Sequence, residues 1–147
     1  MAKRPPARFR VCMKTRSITL QNVEFMPKEL QPGILYISER FGTAAHLCAC
    51  GCGAKIRTPL GPTEWAVKQS ASGVSLWPSV GNWQKACQSH YIIRDGKIIW
   101  CGQWTPEQIA AGRFNEETRR RAYYDARYTP IGRFRKFWRW LASLLGK

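Results

Sequence analysis

The segment "HLCACGCG", residues 46–53, constrains the fold more than any other part of the chain. Its three cysteines, Cys48, Cys50 and Cys52, alternate, with two glycines among them. Alternate side chains of an extended segment share one face, and glycine lets the backbone curl until the three sulfurs converge. Structural zinc takes four tetrahedral ligands, and thiolates are preferred. We therefore predict a structural zinc site that Cys87 completes from a distant segment.

The compartment of the protein bears on how its six cysteines are interpreted. The basic start of the chain is followed by further charges where the apolar core of a signal peptide would stand. No apolar run reaches the roughly 18 residues that a membrane-spanning helix needs. We expect a cytoplasmic protein with reduced thiols, so clustered cysteines indicate metal ligands or catalytic thiols before disulfides.

A second set of possible metal ligands shares two cysteines with the first. Two histidines and two cysteines flank the same segments: His46, Cys48, Cys87 and His90. Such a set holds the [2Fe–2S] cluster of Rieske proteins. The order of the first His–Cys pair is reversed, however, and Cys50 and Cys52 would be surplus. A Rieske-type electron carrier is therefore the less favoured alternative.

The segments between residues 18 and 104 predict a small, mostly β domain of short antiparallel strands and hairpins. The clearest hairpin is "SHYIIRDGKIIW", in which two apolar runs flank an Asp-Gly turn. The segment "EWAVKQ" fits either a strand or a helix. The segment "SVGNWQKAC" predicts a short helix, because Ser79 stands where a capping residue would. A chain of 147 residues is long enough for such a domain to bury a core without disulfides.

The two ends of the chain differ from this middle region. Residues 1–17 predict a flexible basic arm, and residues 105–147 predict a basic, partly amphipathic helical extension, so that the fold class is α+β. Two helices are expected over "TPEQIAAGRF" and "NEETRRRAYYDARY". A third should carry an apolar face consisting of Ile131, Phe134, Phe137, Trp138, Leu141, Leu144 and Leu145. We expect this face to pack on the β domain, with docking on an anionic membrane or a partner protein as the alternative.

Two serines and two histidines are candidates for a nucleophile and its base. If four cysteines satisfy the metal, both His46 and His90 are available for acid–base chemistry. Neighbours in a strand point to opposite faces, so Ser89 and His90 are poor partners, and Ser89 with His46 is the preferred pair. Ser79 with His90 is the rival pair, because the amides of a helix after Ser79 would form an oxyanion hole.

The charge of the chain suggests a further class of function. There are 24 Lys and Arg against 9 Asp and Glu, a formal net charge of +15, which attracts nucleic acid, anionic membranes or acidic proteins. Arginines and aromatic residues are interleaved in "RRRAYYDARY" and "RFRKFWRW". Because arginine neutralises phosphate and aromatic rings stack on bases, a non-catalytic zinc-binding adaptor for nucleic acid or an acidic protein partner is the alternative to an enzyme.

One ordered set of motifs resembles a known family. The motifs, in chain order, are "GILYIS", "AAHLCACGCG", "TPL", "VSLWPSVGNW" and "CQSHYIIRDGKIIW". Over roughly residues 20–104 they resemble the BubE-type proteins of bacterial ubiquitination-like (Bub) operons. The resemblance implies a zinc-containing serine protease with a Ser–His dyad, which processes a bacterial ubiquitin-like precursor and cleaves its conjugates, with E1-like and E2-like proteins as operon partners. It leaves open which serine and which histidine form the dyad.

Overall fold

The computed structural model describes residues 13–128 and 130–145. The described residues up to Gln103 form one compact unit, and those from Trp104 onward form a second. Most of the basic arm predicted for residues 1–17 lies outside the described residues. The first unit contains eight strands in two sheets and the second contains two helices, so the predicted α+β class is confirmed.

The first sheet has the strand order β1-β2-β3-β4. Its strands are β1 (Thr19–Asn22), β2 (Ile34–Ser38), β3 (Thr43–Leu47) and β4 (Lys55–Pro59). Strands β2, β3 and β4 pair as antiparallel hairpins, as predicted. Strand β1 instead pairs with β2 in parallel, because the long segment between them returns the chain to the same end of the sheet.

The second sheet has the order β5-β6-β7-β8 and is antiparallel throughout. Its strands are β5 (Ala66–Ser70), β6 (Gly73–Gly81), β7 (His90–Arg94) and β8 (Lys97–Trp100). The segment that fitted a strand or a helix is therefore the strand β5. The turn between β7 and β8 has positive φ at both Asp95 (49°) and Gly96 (72°), as the predicted Asp-Gly hairpin requires.

The prediction of a short helix after Ser79 is wrong. Strand β6 continues through Gly81, and residues 83–87 form turns. Val80 decides this outcome, because it is buried in the core and pairs with Tyr91 of the neighbouring strand. Burial of an apolar side chain in a sheet outweighs the preference of a serine for a helix cap. Ser79 is thus a strand residue, with no helix start beside it.

One hydrophobic core includes side chains from both sheets. The first sheet contributes Leu35, Ile37, Ala44 and Ile56, and the second contributes Val74, Leu76, Val80, Tyr91, Ile93 and Ile98. Alternation along each strand puts these residues on one face, which the opposite sheet covers. The "HLCACGCG" segment contributes to this core, because Cys48 and Ala49 belong to the same cluster.

The second unit consists of α1 (Pro106–Tyr128) and α2 (Pro130–Leu145). The two helices expected before residue 129 are one continuous helix. Thr105 caps it: the Gln108 amide donates to the Thr105 hydroxyl (3.3 Å), and the Thr105 amide donates to the Gln108 side chain (2.9 Å). No helix that the structure describes is both long and apolar enough to span a lipid bilayer.

Candidate metal centre and serine–histidine pair

The four predicted metal ligands lie together. The Sγ atoms of Cys48, Cys50, Cys52 and Cys87 all lie within 4.8 Å of one another. Cys48 Sγ is 3.3 Å from that of Cys50 and 3.9 Å from that of Cys87, which lies 3.8 Å from Cys52 Sγ. Tetrahedral zinc with bonds of about 2.3 Å would hold its sulfurs roughly 3.8 Å apart. The cluster therefore fits a tetrahedral metal ion.

Glycine shapes the loop that presents three of these sulfurs. After β3 the chain turns at Gly51 (φ 84°) and Gly53 (φ 80°). A Cβ at Gly51 would lie 2.7 Å from the backbone oxygen of Met13, so both the conformation and the space require glycine there. The amide of Gly51 donates to the carbonyl of Cys48 (3.0 Å), which closes the turn. The loop curls as its sequence predicted.

The electrostatics of the cluster favour a cation. Burial raises the pKa of Cys48 and of Cys50. Burial also opposes ionisation of Cys87, but its hydrogen bonds with the side chain and backbone of Ser89, together with those to Cys50 and Cys52, outweigh burial and lower the pKa of Cys87 to about 7. Four thiols at this spacing ionise together only when a positive charge lies between them, and a divalent ion supplies that charge.

Ser89 faces the cysteine cluster. Its hydroxyl oxygen lies 3.1 Å from Cys48 Sγ, within hydrogen-bond distance, and accepts a hydrogen bond from the side-chain amide of Asn82 (2.8 Å). The Asn82 amide also lies 3.5 Å from Cys48 Sγ. Ser89 is buried, with an exposed fraction of 6%. The Ser89 hydroxyl and the Asn82 amide thus surround Cys48 Sγ, the arrangement by which hydrogen-bonded groups around a metal site orient its ligands.

His46 is enclosed in the core. Its side chain is fully buried, and Nε2 lies 2.8 Å from the Tyr91 hydroxyl. Its Nδ1 has no hydrogen-bond partner among the described residues. Burial lowers the pKa of His46 to about 4, so the ring is neutral near pH 7. The hydrogen bonds of the described structure thus link Ser89 to the cysteines and His46 to Tyr91, and do not join the two residues to each other.

The rival pair of the sequence analysis, Ser79 and His90, is in hydrogen-bond contact. The Ser79 hydroxyl and His90 Nε2 are 3.0 Å apart, and His90 Nδ1 lies 2.8 Å from the carbonyl oxygen of Gly102. A carbonyl can only accept, so Nδ1 carries the proton and donates it to Gly102. In the neutral ring Nε2 is then the acceptor for the Ser79 hydroxyl. The backbone carbonyl takes the orienting position that a carboxylate occupies in a Ser–His–Asp triad.

An irregularity in strand pairing puts Ser79 in reach of His90. Gly81 pairs with His90 and Val80 with Tyr91, but the register shifts between Val80 and Leu76. Ser79 lies within this bulge, and bulges are known to re-aim side chains beside functional sites. Ser79 is half-buried, so its hydroxyl lies closer to solvent than that of Ser89. The bulge could not be predicted from the alternation of residues alone.

Trp83 packs against the histidine of this pair. The Trp83 and His90 rings have centroids 4.9 Å apart and planes inclined by 57°. The Trp83 ring can occupy this position because residue 81, against which it packs, is a glycine. A Cβ at Gly81 would lie 2.5 Å from Trp83 Nε1. The "GNW" of the sequence thus fixes one face of the histidine ring, a role that sequence reasoning did not assign.

The Rieske-type set is not assembled. Within the described residues, the group that could hold a metal consists of four cysteines. His46 contacts Tyr91, while His90 contacts Ser79 and Gly102. Sequence reasoning missed four contributors, namely Asn82, Trp83, Tyr91 and the carbonyl of Gly102. The first three lie in the segments "GNW" and "SHY" of the motifs that carry the family resemblance, but a backbone carbonyl leaves no signal in a sequence.

Fold and site together define a two-sheet domain with a four-cysteine cluster that could hold a metal ion and a hydrogen-bonded serine–histidine pair. A family model described as the bacterial ubiquitination-like system serine protease (BubE) matches residues 22–101, more than half of the chain. The chain therefore belongs to this family, as the motifs predicted. No curated protein and no solved structure matches it.

Proposed function

We propose that this protein is a serine peptidase in which Ser79 is the nucleophile and His90 its general base. The observation that carries the proposal is the 3.0 Å contact between the Ser79 hydroxyl and His90 Nε2. The Gly102 carbonyl supports it, because it holds the tautomer in which Nε2 accepts the hydroxyl proton. The sequence interpretation preferred Ser89 and His46 as the nucleophile and base. The proposal replaces them with the rival pair, Ser79 and His90.

In the first step, Ser79 Oγ attacks the carbonyl carbon of the scissile bond as its proton passes to His90 Nε2. The imidazolium formed is stabilised by its Nδ1–H bond to Gly102. The tetrahedral intermediate collapses when His90 returns the proton to the leaving amine, which leaves an acyl ester on Ser79. Water, deprotonated by His90, then attacks the ester, and the carboxylate product and the free Ser79 hydroxyl are released.

The preferred pair of the sequence interpretation is less suited to this chemistry. The Ser89 hydroxyl is buried and is engaged by Asn82 and Cys48. His46 is fully buried, and its lowered pKa makes it a weak base. A nucleophile must meet a polypeptide substrate, which favours the half-buried Ser79. Ser89 then supports the metal centre instead of reacting.

The metal is proposed to be structural zinc held by the four cysteines. Their spacing fits tetrahedral thiolate coordination, and a closed four-thiolate site leaves no position for substrate. Zinc bound there would link the loop after β3 to Cys87, three residues before His90. Its contribution is to hold the start of β7, and hence His90, in place.

The substrate is proposed to be a bacterial ubiquitin-like protein, as a precursor with residues beyond its mature end and as conjugates. Membership of a family named for a ubiquitination-like system supports this choice. Both substrates present an acyl group joined to an amine, so one acyl-enzyme pathway serves both. E1-like and E2-like proteins of the same system are the expected partners.

Labelling with a serine-directed fluorophosphonate, followed by mass spectrometry, tests the assignment. We expect the probe on Ser79, loss of labelling in Ser79→Ala, and retained labelling in the matched variant Ser89→Ala. Cleavage of a ubiquitin-like precursor should follow the same order. Labelling of Ser89 would overturn the assignment. Bound metal without labelling or cleavage by the wild-type protein would favour the non-catalytic zinc-binding adaptor.

A further inference from the structure

Helix α2 carries large apolar side chains that remain exposed. Their exposed fractions are 62% for Phe134, 52% for Phe137, 54% for Trp138, 58% for Trp140 and 57% for Leu144. From the sequence, packing of this face on the β domain was expected, with docking on an anionic membrane or a partner protein as the alternative. Phe134, Phe137, Trp138 and Leu144 follow the spacing of three and four residues that places side chains on one side of a helix. Trp140 borders them. The result is a continuous aromatic face, which we call the α2 aromatic face.

The other side of α2 is basic. Successive residues of a helix are rotated by about 100°, which puts Arg135, Lys136 and Arg139 on the side opposite Phe134. These three side chains are exposed. Helix α2 contains no Asp or Glu, so nothing within the helix offsets this charge. The helix is thus divided into an aromatic face and a cationic face.

We propose that α2 is an interfacial helix that lies in the surface of a membrane containing anionic lipids. Lipid is the occupant that satisfies both faces at once: the acyl boundary takes the α2 aromatic face, and phosphate headgroups surround the cations. Tryptophan and phenylalanine at the apolar side with arginine and lysine at the polar side are typical of such helices. The proposal concerns a second activity of the chain and does not depend on the serine–histidine pair.

The division of the two faces favours lipid over nucleic acid. A single-stranded nucleic acid is bound where cations and stacking rings line one groove. In α2 three of the four cations, Arg135, Lys136 and Arg139, lie on the side away from most of the rings, so phosphates bound there would leave the α2 aromatic face in water. A duplex would use the cations alone. A lipid membrane, unlike a nucleic acid, has an apolar interior that would remove the rings from water.

Co-sedimentation of the full, metal-loaded protein with vesicles tests the proposal. Vesicles of phosphatidylcholine with a minority of phosphatidylglycerol should bind the protein, and phosphatidylcholine alone should bind it more weakly. Each of Arg135→Ser and Arg139→Ser should reduce the partition coefficient roughly five-fold at low salt. The double variant Phe137→Ser/Trp138→Ser should lose most of the binding, because it removes the inserted rings.

Phe114→Ser is the matched control. Phe114 of α1 is 71% exposed, so the variant also removes an exposed ring from a helix without touching α2, and its binding should equal that of the wild type. Circular dichroism checks that each variant remains helical. Equal binding of the Phe137/Trp138 variant and the wild type would overturn the proposal. So would a failure of the wild type to bind anionic vesicles, or binding to homopolymer RNA alone that depends on Arg135 and Arg139.

Discussion

The two candidate serines have different surroundings in the fold. Ser79 contacts an imidazole nitrogen and is partly exposed, whereas Ser89 contacts a cysteine sulfur and is buried. A hydroxyl beside a base is activated, and a hydroxyl beside a metal-binding thiolate stabilises that thiolate. In the proposed function, the same functional group therefore serves catalysis at one position and metal binding at the other.

Ser89→Ala should weaken metal binding without abolishing acylation of Ser79. The change removes the hydrogen bond to Cys48 and leaves the buried Asn82 amide without its 2.8 Å acceptor. Loss of a group that supports a metal ligand lowers affinity by about ten-fold or more. Competition with a chromogenic zinc chelator measures this. Ser70→Ala, at an exposed hydroxyl in β5, should bind metal as the wild type does. An unchanged affinity in Ser89→Ala would contradict this role.

Gly81→Ala should reduce peptidase activity while the fold is retained. The added Cβ would lie 2.5 Å from Trp83 Nε1, so Trp83 must move, and His90 beside it loses its packing partner. A displacement of a reacting group by about 1 Å can cost roughly a hundred-fold in rate. We expect a fall of that order in kcat/KM, measured with a ubiquitin-like precursor.

Gly61→Ala is the control for this variant, because its new Cβ would approach only the Glu64 side chain, at 3.7 Å. It should leave kcat/KM near the wild-type value. Full activity in Gly81→Ala, with unchanged circular dichroism, would show that Trp83 does not position His90.

At the scale of elements, two irregular segments create the site. The loop after β3 curls at Gly51 and Gly53 to gather three sulfurs, and the bulge in β6 turns Ser79 toward β7. Regular strands between them supply the rigid support, since β6 and β7 pair on both sides of the bulge. Regular elements could be predicted from periodicity, and the glycine-rich loop from its composition. The bulge depends on how two strands align, which no local pattern specifies.

Cys87→Ser should destabilise the first unit, because it removes the ligand that joins the loop after β3 to the start of β7. For a domain of this size, a loss of about 2 kcal/mol lowers Tm by roughly 8–16 °C. Thermal unfolding followed by circular dichroism measures the shift, and excess chelator should produce a similar shift in the wild type. Cys101→Ser is the control, since Cys101 is partly exposed and lies outside the cluster. Equal Tm values for Cys87→Ser and the wild type would argue against a structural metal.

At the scale of the whole molecule, the chain consists of two compact units with separate proposed roles. The first contains the metal centre and the serine–histidine pair, and the second contains the α2 aromatic face. The family match ends at residue 101, close to the boundary after Gln103. The charge and aromatic content of α2 make it suited to an interaction at a membrane surface, as proposed above.

A chain ending at Gln103 should retain the activity of the first unit and lose the binding of the second. It keeps all four cysteines, Ser79, His90 and the Gly102 carbonyl, so metal content and fluorophosphonate labelling should match the full chain. Vesicle binding should be lost because α2 is absent. Both are measured on the same preparation, with the full chain as reference. Vesicle binding by the shortened chain would place the lipid contact outside α2.

The sequence by itself determined the cysteines that form a potential metal site, the strand-rich middle region and the helical end. Each of these depends on local information: the spacing of cysteines and glycines, the alternation of apolar residues, and the Thr-Pro start of α1. Tertiary structure decided which serine meets which histidine. That choice depends on a bulge, on a backbone carbonyl and on a tryptophan packed over a glycine. The bulge and the carbonyl contact arise between segments that lie apart in the chain, and their energies depend on distances that a sequence does not contain.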